Sequence, residues 1–194
     1  MIAVINYGMG NICSLGNTLK RLGAEWQLTS EPYVIRKASH IILPGVGNAA
    51  KAMENLTRLR LTDEIRQTRR PVLGICVGMQ VMCRHSEEGD AECMGIFDAR
   101  IQRFKDVEGL KIPHMGWSRI ANMDSKLFKG INSGSYVYFV HSYHAPLCPD
   151  TIATARHGGM FSASLRYENF YGTQFHPEKS GAIGEAIIDN FLKI

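Results

Sequence analysis

Pro71-Val72-Leu73-Gly74-Ile75-Cys76-Val77-Gly78-Met79-Gln80 is the stretch whose reading decides the fold. Pro71 to Ile75 is a short apolar run opened by a proline and carrying one glycine, the composition of a buried strand in a parallel sheet. Beyond Cys76 the period changes, and Met79, Met82 and Cys83 fall on one face of a helix. Cys76 therefore stands where a strand hands over to a helix. Gly74 and Gly78, two residues to either side, let the backbone turn sharply and let neighbours approach. Such a turn presents the residue between them at the carboxyl edge of the sheet, near unpaired N–H groups and the positive end of a helix dipole, a setting that suits a nucleophilic thiol. A strand-end cysteine is also commonly a packing residue, so the rest of the chain must discriminate.

Upstream, Ile2 to Tyr7 is an apolar strand. Gly8-Met9-Gly10-Asn11 follows, and then Ile12, Leu15, Leu19 and Leu22 recur at helical spacing up to Gly23. Gly8 and Gly10 begin a GxG, which raises the alternative of a nucleotide-binding module, but Cys13 stands where the fingerprint requires its third glycine. A tight strand-to-helix turn accounts for the pair. Trp26 to Thr29 and His40 to Leu43 read as strands. Pro44-Gly45-Val46-Gly47 comes next, then a helix from Asn48 with Ala49, Met53 and Leu56 on one side, and further helix over Thr62 to Thr68. A glycine-rich loop at a strand end frees backbone N–H groups to bind an oxyanion, although an ordinary βα turn has the same composition.

Alternation of strand and helix up to Cys83 implies βαβ units. After Glu87-Glu88-Gly89-Asp90 the texture changes. Phe97, Ala99 and Ile101 alternate with polar residues, Tyr136 to Val140 is aromatic and β-branched, and Phe161 to Leu165 and Phe170 to Phe175 look like paired strands. Ile183, Ile187 and Phe191 mark a closing amphipathic helix. The expected fold is α/β, a mostly parallel central sheet flanked by helices with antiparallel additions in the second half, as one domain over residues 1–194.

A formal charge of +4 with no block of like charges argues against a nucleic-acid partner, and Arg66, Arg69 and Arg70 suit a solvated helix end. The cysteines, Cys13, Cys76, Cys83, Cys93 and Cys148, are odd in number and form no CxxC, which fits a reducing cytoplasm better than a disulfide framework. No apolar run is long enough to span a membrane, and Met1-Ile2-Ala3-Val4 enters a strand without an export leader.

A second chemical cluster lies at His176-Pro177-Glu178. Two residues apart in extended chain, the imidazole and the carboxylate point the same way, and Pro177 restrains them. A surface ion pair would have the same sequence; Cys76 changes the balance. Cys, His and Glu are the parts of an acyl-transfer site in which imidazole activates the thiol and protonates a leaving amine. Gly45, Val46 and Gly47, with the N–H of Val77, are candidate oxyanion donors. Gln80, one turn beyond Cys76, can reach a substrate.

Gly74-Ile-Cys76-Val-Gly78-Met-Gln80, Pro44-Gly-Val-Gly47 and His176-Pro-Glu178 resemble the nucleophile, oxyanion-strand and His-Glu motifs of the class I glutamine amidotransferases. Tyr7-Gly-Met-Gly-Asn11, Pro113-His-Met-Gly-Trp117, Tyr138-Phe-Val-His-Ser-Tyr143 and His176-Pro-Glu-Lys-Ser180 resemble more closely those members that serve a (βα)8-barrel cyclase subunit in histidine biosynthesis. The resemblance runs over essentially the whole chain. It implies hydrolysis of L-glutamine to glutamate, with ammonia passed to the cyclase in a heterodimer. Cys76 would be the nucleophile, His176 the acid/base and Glu178 its orienter. Gly47, Gln80, His141, Ser142 and Tyr143 would line the glutamine pocket, and Asn11, Trp117, Tyr138 and Lys179 would face the partner. No metal or organic cofactor is implied. Val77 replaces the leucine usual after the nucleophile but offers the same N–H. His141 and His144 suggest a metal pair, yet no third ligand has suitable spacing. The double glycine of residues 44–47 suggests an oxyanion hole completed only when partner and ligand bind. An acceptor in an amino-sugar pathway and a cysteine peptidase are the remaining alternatives.

Overall fold

Three short runs of almost unbroken apolar burial form the centre: β1 (Ile2–Ile5), β3 (His40–Leu43) and β4 (Val72–Ile75). Strands covered on both faces by helices read as continuous apolar sequence, not as alternation. In the first half they alternate with α1 (Ile12–Arg21), β2 (Trp26–Thr29), α2 (Pro32–Lys37), α3 (Ala49–Arg58) and α4 (Leu61–Gln67), and β4 leads into the single turn α5 (Val77–Gln80). The second half adds β5 (His85–Ser86), β6 (Ala91–Glu92), β7 (Arg100–Arg103), β8 (His114–Arg119), β9 (Tyr136–His141), β10 (Tyr143–His144), β11 (Thr151–His157), β12 (Gly159–Tyr167), β13 (Phe170–Thr173) and α6 (Gly181–Phe191). The computed structural model describes residues 1–194.

The seven-stranded sheet has the order β11-β12-β13-β4-β3-β1-β2. β2, β1, β3, β4 and β13 run parallel, and β12 and β11 extend the sheet in antiparallel fashion. This is the expected mixture with one difference. β13, which the sequence suggests as half of an antiparallel pair, also lies parallel to β4, Gly172 opposite Gly74. The segments that follow β3, β4 and β13 therefore leave from one carboxyl edge, where ligand sites of parallel sheets form. A smaller sheet, β10-β7-β5-β6, and the β8–β9 ladder are formed by the chain between β4 and β11 and pair apart from the main sheet.

Two further elements depart from the sequence reading. Pro32–Lys37 forms a helix the apolar pattern does not announce, with Pro32 in its first turn and only Ile35 buried. Conversely, α5 stops at Gln80, although Met79, Met82 and Cys83 keep helical spacing. The carbonyls of Val81, Met82 and Cys83 accept instead from the N–H groups of Met94, Ile96, Phe97 and Gly95. Chain returning from farther on takes the acceptors a longer helix needs. All 48 buried apolar residues form one cluster, so both halves share a core.

Candidate active site

Cys76 closes β4 at φ +53° and ψ −109°, a region that non-glycine residues occupy at a cost of about 1–3 kcal/mol. Two close approaches hold it there. A Cβ on Gly78 would lie 1.9 Å from the Leu43 carbonyl oxygen, and one on Gly45 would lie 2.3 Å from the Gly78 nitrogen. Only residues lacking side chains let the loop after β3 seat on the turn after Cys76. The Cys76 N–H donates to Thr173 O at 2.7 Å, tying the turn to β13 as well. The expected sharp strand-to-helix turn is present, but four residues of helix sum too few peptide dipoles to matter. Side chains must supply the charge assistance.

His176 supplies it. It leaves the end of β13, and Pro177–Lys179 is a 3-10 turn and not the extended chain expected from the spacing. The pair meets across that turn: His176 Nδ1–H donates to Glu178 Oε1 at 2.8 Å, with both side chains almost wholly buried. Nε2 makes no hydrogen bond of its own and remains for the Cys76 side, since His176 and Cys76 line one cavity. Burial is the largest single influence on His176 and works to lower its pKa. The negative charge of the neighbouring Cys76 and the hydrogen bond and charge of Glu178 together outweigh burial and push it up to about 10. The backbone is fixed too. His176 N–H donates to Tyr138 O at 2.9 Å, and the Ser180 hydroxyl donates to His176 O at 2.6 Å while accepting from Tyr138 N–H at 2.9 Å.

The cavity encloses about 140 Å³ and is lined by Val46, Gly47, Cys76, Val77, Gln80, Glu88, Val140, His141, Ser142, Tyr143 and His176. Seven of the eight residues named from sequence for substrate are in this wall. Gly45 is not; it is buried behind the loop, against the Val77–Gly78 peptide. Glu88 and Val140 are wall residues that the sequence reading missed. Glu88 Oε2 accepts from Ala49 N–H at 2.9 Å, and burial nevertheless raises its pKa. In sequence it reads only as part of the acidic run before the change of texture, because nothing local distinguishes a carboxylate folded back onto α3.

Behind the wall several polar groups pair with one another. Gln80 Nε2 donates to Tyr143 O and to Gln174 Oε1, each at 3.0 Å, and Gln174 Nε2 donates to Cys76 Sγ at 3.6 Å. His141 Nδ1–H donates to the same Tyr143 carbonyl at 2.7 Å. Its Nε2 then accepts from His114 Nδ1–H at 3.1 Å, and His114 Nε2 accepts from Ser118 at 2.8 Å. Both ring nitrogens of His141 are thus engaged within the protein, which leaves none for a metal shared with His144. Tyr7 donates to Pro44 O at 2.5 Å and is itself braced by Asn55 Nδ2 on its carbonyl at 3.0 Å. A Cβ on Gly10 would lie 2.7 Å from Pro44 Cβ. The glycines that hint at a nucleotide turn instead seat Tyr7 to Asn11 against the residue opening the Gly45–Gly47 loop.

Of the residues assigned to a partner surface, Trp117 is opposite Tyr138 on the β8–β9 ladder, the rings 6.0 Å apart, and Lys179 Nζ lies 5.9 Å from the Tyr138 centroid. Trp117 is 54% exposed, beside exposed Met115 and Tyr136. Asn11 stands apart from that ladder, at the start of α1, a helix that packs on the Pro177–Lys179 turn.

A strained thiol and a carboxylate-backed imidazole line one cavity beneath a glycine loop on an α/β sheet, and these are the parts that an acyl-transfer site on an amidotransferase-like scaffold requires. Residues 3–194 match the family model for glutamine amidotransferase class-I, and the chain belongs to that family. It is 50% identical over 196 residues to the imidazole glycerol phosphate synthase subunit HisH of Bacteroides fragilis, covering 100% of this chain and 99% of the relative. Identity to the HisH subunit of Bacteroides thetaiotaomicron is 47% over 194 residues, with the same coverage. Among solved structures, a putative GMP synthase component from Thermoplasma acidophilum superposes with a TM-score of 0.76 at 23% identity, over 99% of this chain and 92% of that one, a likeness of fold.

Proposed function

We propose that this chain, as one amidotransferase domain over residues 1–194, is the glutaminase subunit of imidazole glycerol phosphate synthase. It hydrolyses L-glutamine and passes the ammonia to a (βα)8-barrel cyclase subunit in the cytoplasm. The observation that carries the reading is Cys76 and His176 facing one small cavity, with Glu178 2.8 Å behind the imidazole. Similarity to HisH subunits over the full chain supports this acceptor over an amino-sugar pathway.

In the proposed reaction His176 takes the Cys76 proton, and the sulfur attacks the carboxamide carbon of glutamine. The oxyanion is met by N–H groups of the Val46–Gly47 loop and of Val77. The tetrahedral adduct expels ammonia as His176 returns the proton, leaving a thioester. Water, deprotonated by His176, then releases glutamate and restores the thiol. Glu178 keeps the ring in the tautomer that serves each transfer. Glu88, the carboxylate in the cavity wall besides the triad, is the counter-charge for the α-ammonium group of the substrate. The cluster of exposed Trp117 and Lys179 around half-buried Tyr138, with Asn11, faces the cyclase.

The experiment mixes the chain with the barrel cyclase and follows both glutamate release and cyclase product. Glutamate release should rise when cyclase and its ligand are added. Cys76→Ala should abolish glutamine-dependent product while leaving product formed from added ammonium salt. Loss of both activities together would refute the division of labour, and cyclase-independent turnover would refute the coupling.

A further inference from the structure

We propose that Gln174 is a positioning residue for the nucleophile, its carboxamide N–H holding the Cys76 sulfur in place for His176. The inference rests on the amidotransferase reading and deepens it.

Gln174 follows β13 directly and is fully buried, with Nε2 3.6 Å from Sγ. A glutamine amide can be turned either way about its last bond, so contact alone does not say which atom meets the sulfur. Here the neighbours decide. A backbone carbonyl only accepts, so Tyr143 O requires the nitrogen of Gln80 at 3.0 Å. The second hydrogen of that nitrogen reaches Gln174 Oε1, also at 3.0 Å. With its oxygen committed to Gln80, Gln174 can offer the sulfur only N–H. One carbonyl thereby sets the direction of two amides and the polarity of the group at the thiol.

A thiol is a weak acceptor and a thiolate a strong one, so a fixed donor favours the charged sulfur and restrains where it sits. His176 approaches as acid and base, while Gln174 neither gives up nor takes a proton. The two roles differ in what their loss does to the pH dependence.

The test is Gln174→Met, which keeps the length and removes the donor. Alkylation of Cys76 by iodoacetamide is followed between about pH 5 and 10 by mass spectrometry of its peptide. This resolves Cys76 from the other four cysteines. The midpoint should move upward by about one pH unit, and kcat for glutamine in the complex should fall about tenfold, with KM changed less than about twofold. An unmoved midpoint in a folded variant, or a loss confined to KM, overturns the proposal. If Gln174→Met does not fold, Gln80→Met releases the Gln174 amide while leaving it present; an upward shift there supports the proposal and an unmoved midpoint overturns it. Alkylation needs no glutamine. A wild-type complex inert toward glutamine would therefore sink the amidotransferase reading without deciding this one.

Discussion

Glu178 never meets the substrate in the proposed reaction, and its removal should show that. With Glu178→Gln the ring keeps a partner at Nδ1 but loses the charge that favours imidazolium, so glutamate release should fall by roughly 10–10³-fold, well short of the complete loss in Cys76→Ala. A single-turnover assay measures both. Equal losses would remove Glu178 from its orienting role. At this scale the sequence is legible where residue types are chemically rare: a cysteine between glycines and a His-Pro-Glu unit declare themselves. Gln174 and Glu88 do not. Glutamine and glutamate are common, and what singles these two out is a partner far away in sequence, Gln80 for one and Ala49 for the other.

Secondary-structure elements make the site by where they stop. α3 begins two residues after Gly47, and the intervening Asn48 caps it, its side-chain oxygen accepting from Lys51 N–H at 3.0 Å. Asn48→Ala should cost about 1 kcal/mol, seen as a lower midpoint in urea unfolding with an unchanged m-value; no change would mean the cap adds nothing. Parallel strands and amphipathic helices are readable because burial on two faces or one leaves its period in the sequence. The end of α5 is not, because it is imposed by residues 94–97. β8 reads as a motif and not as a strand: its outward residues Met115 and Trp117 are large and apolar, which blurs the alternation that marks a half-solvated strand. The parallel pairing of β13 with β4 is equally hidden, since which strand a segment joins is not written in its own residues.

Taken as a whole, the molecule carries two sets of histidines with opposite habits. His114 and His144 are held at about 4, chiefly by burial, and His141 is driven well below its ordinary value by the same cause. Unfolded imidazoles take up protons near 6.5, and these folded ones do not until lower pH. The unfolded state binds more protons in that interval, so stability falls as pH drops from about 6.5 toward 4. The melting temperature should fall by several degrees over that range, and less in His144→Phe, a replacement suited to a ring stacked 4.2 Å from Phe104. An equal fall in both proteins would place the acid sensitivity elsewhere. His176 behaves in the reverse sense: raised to about 10, it contributes stability that is complete below about 6.5 and is lost as pH climbs through its folded value.

The backbone that carries this imidazole is held by the Ser180 hydroxyl, which donates to the His176 carbonyl and accepts from the Tyr138 N–H, and by the His176 N–H on the Tyr138 carbonyl. Tyr138 belongs to the ladder that carries the aromatic face. A tilt of that ladder would carry the His176 backbone with it, so where the ring sits depends on the strand that bears Tyr138.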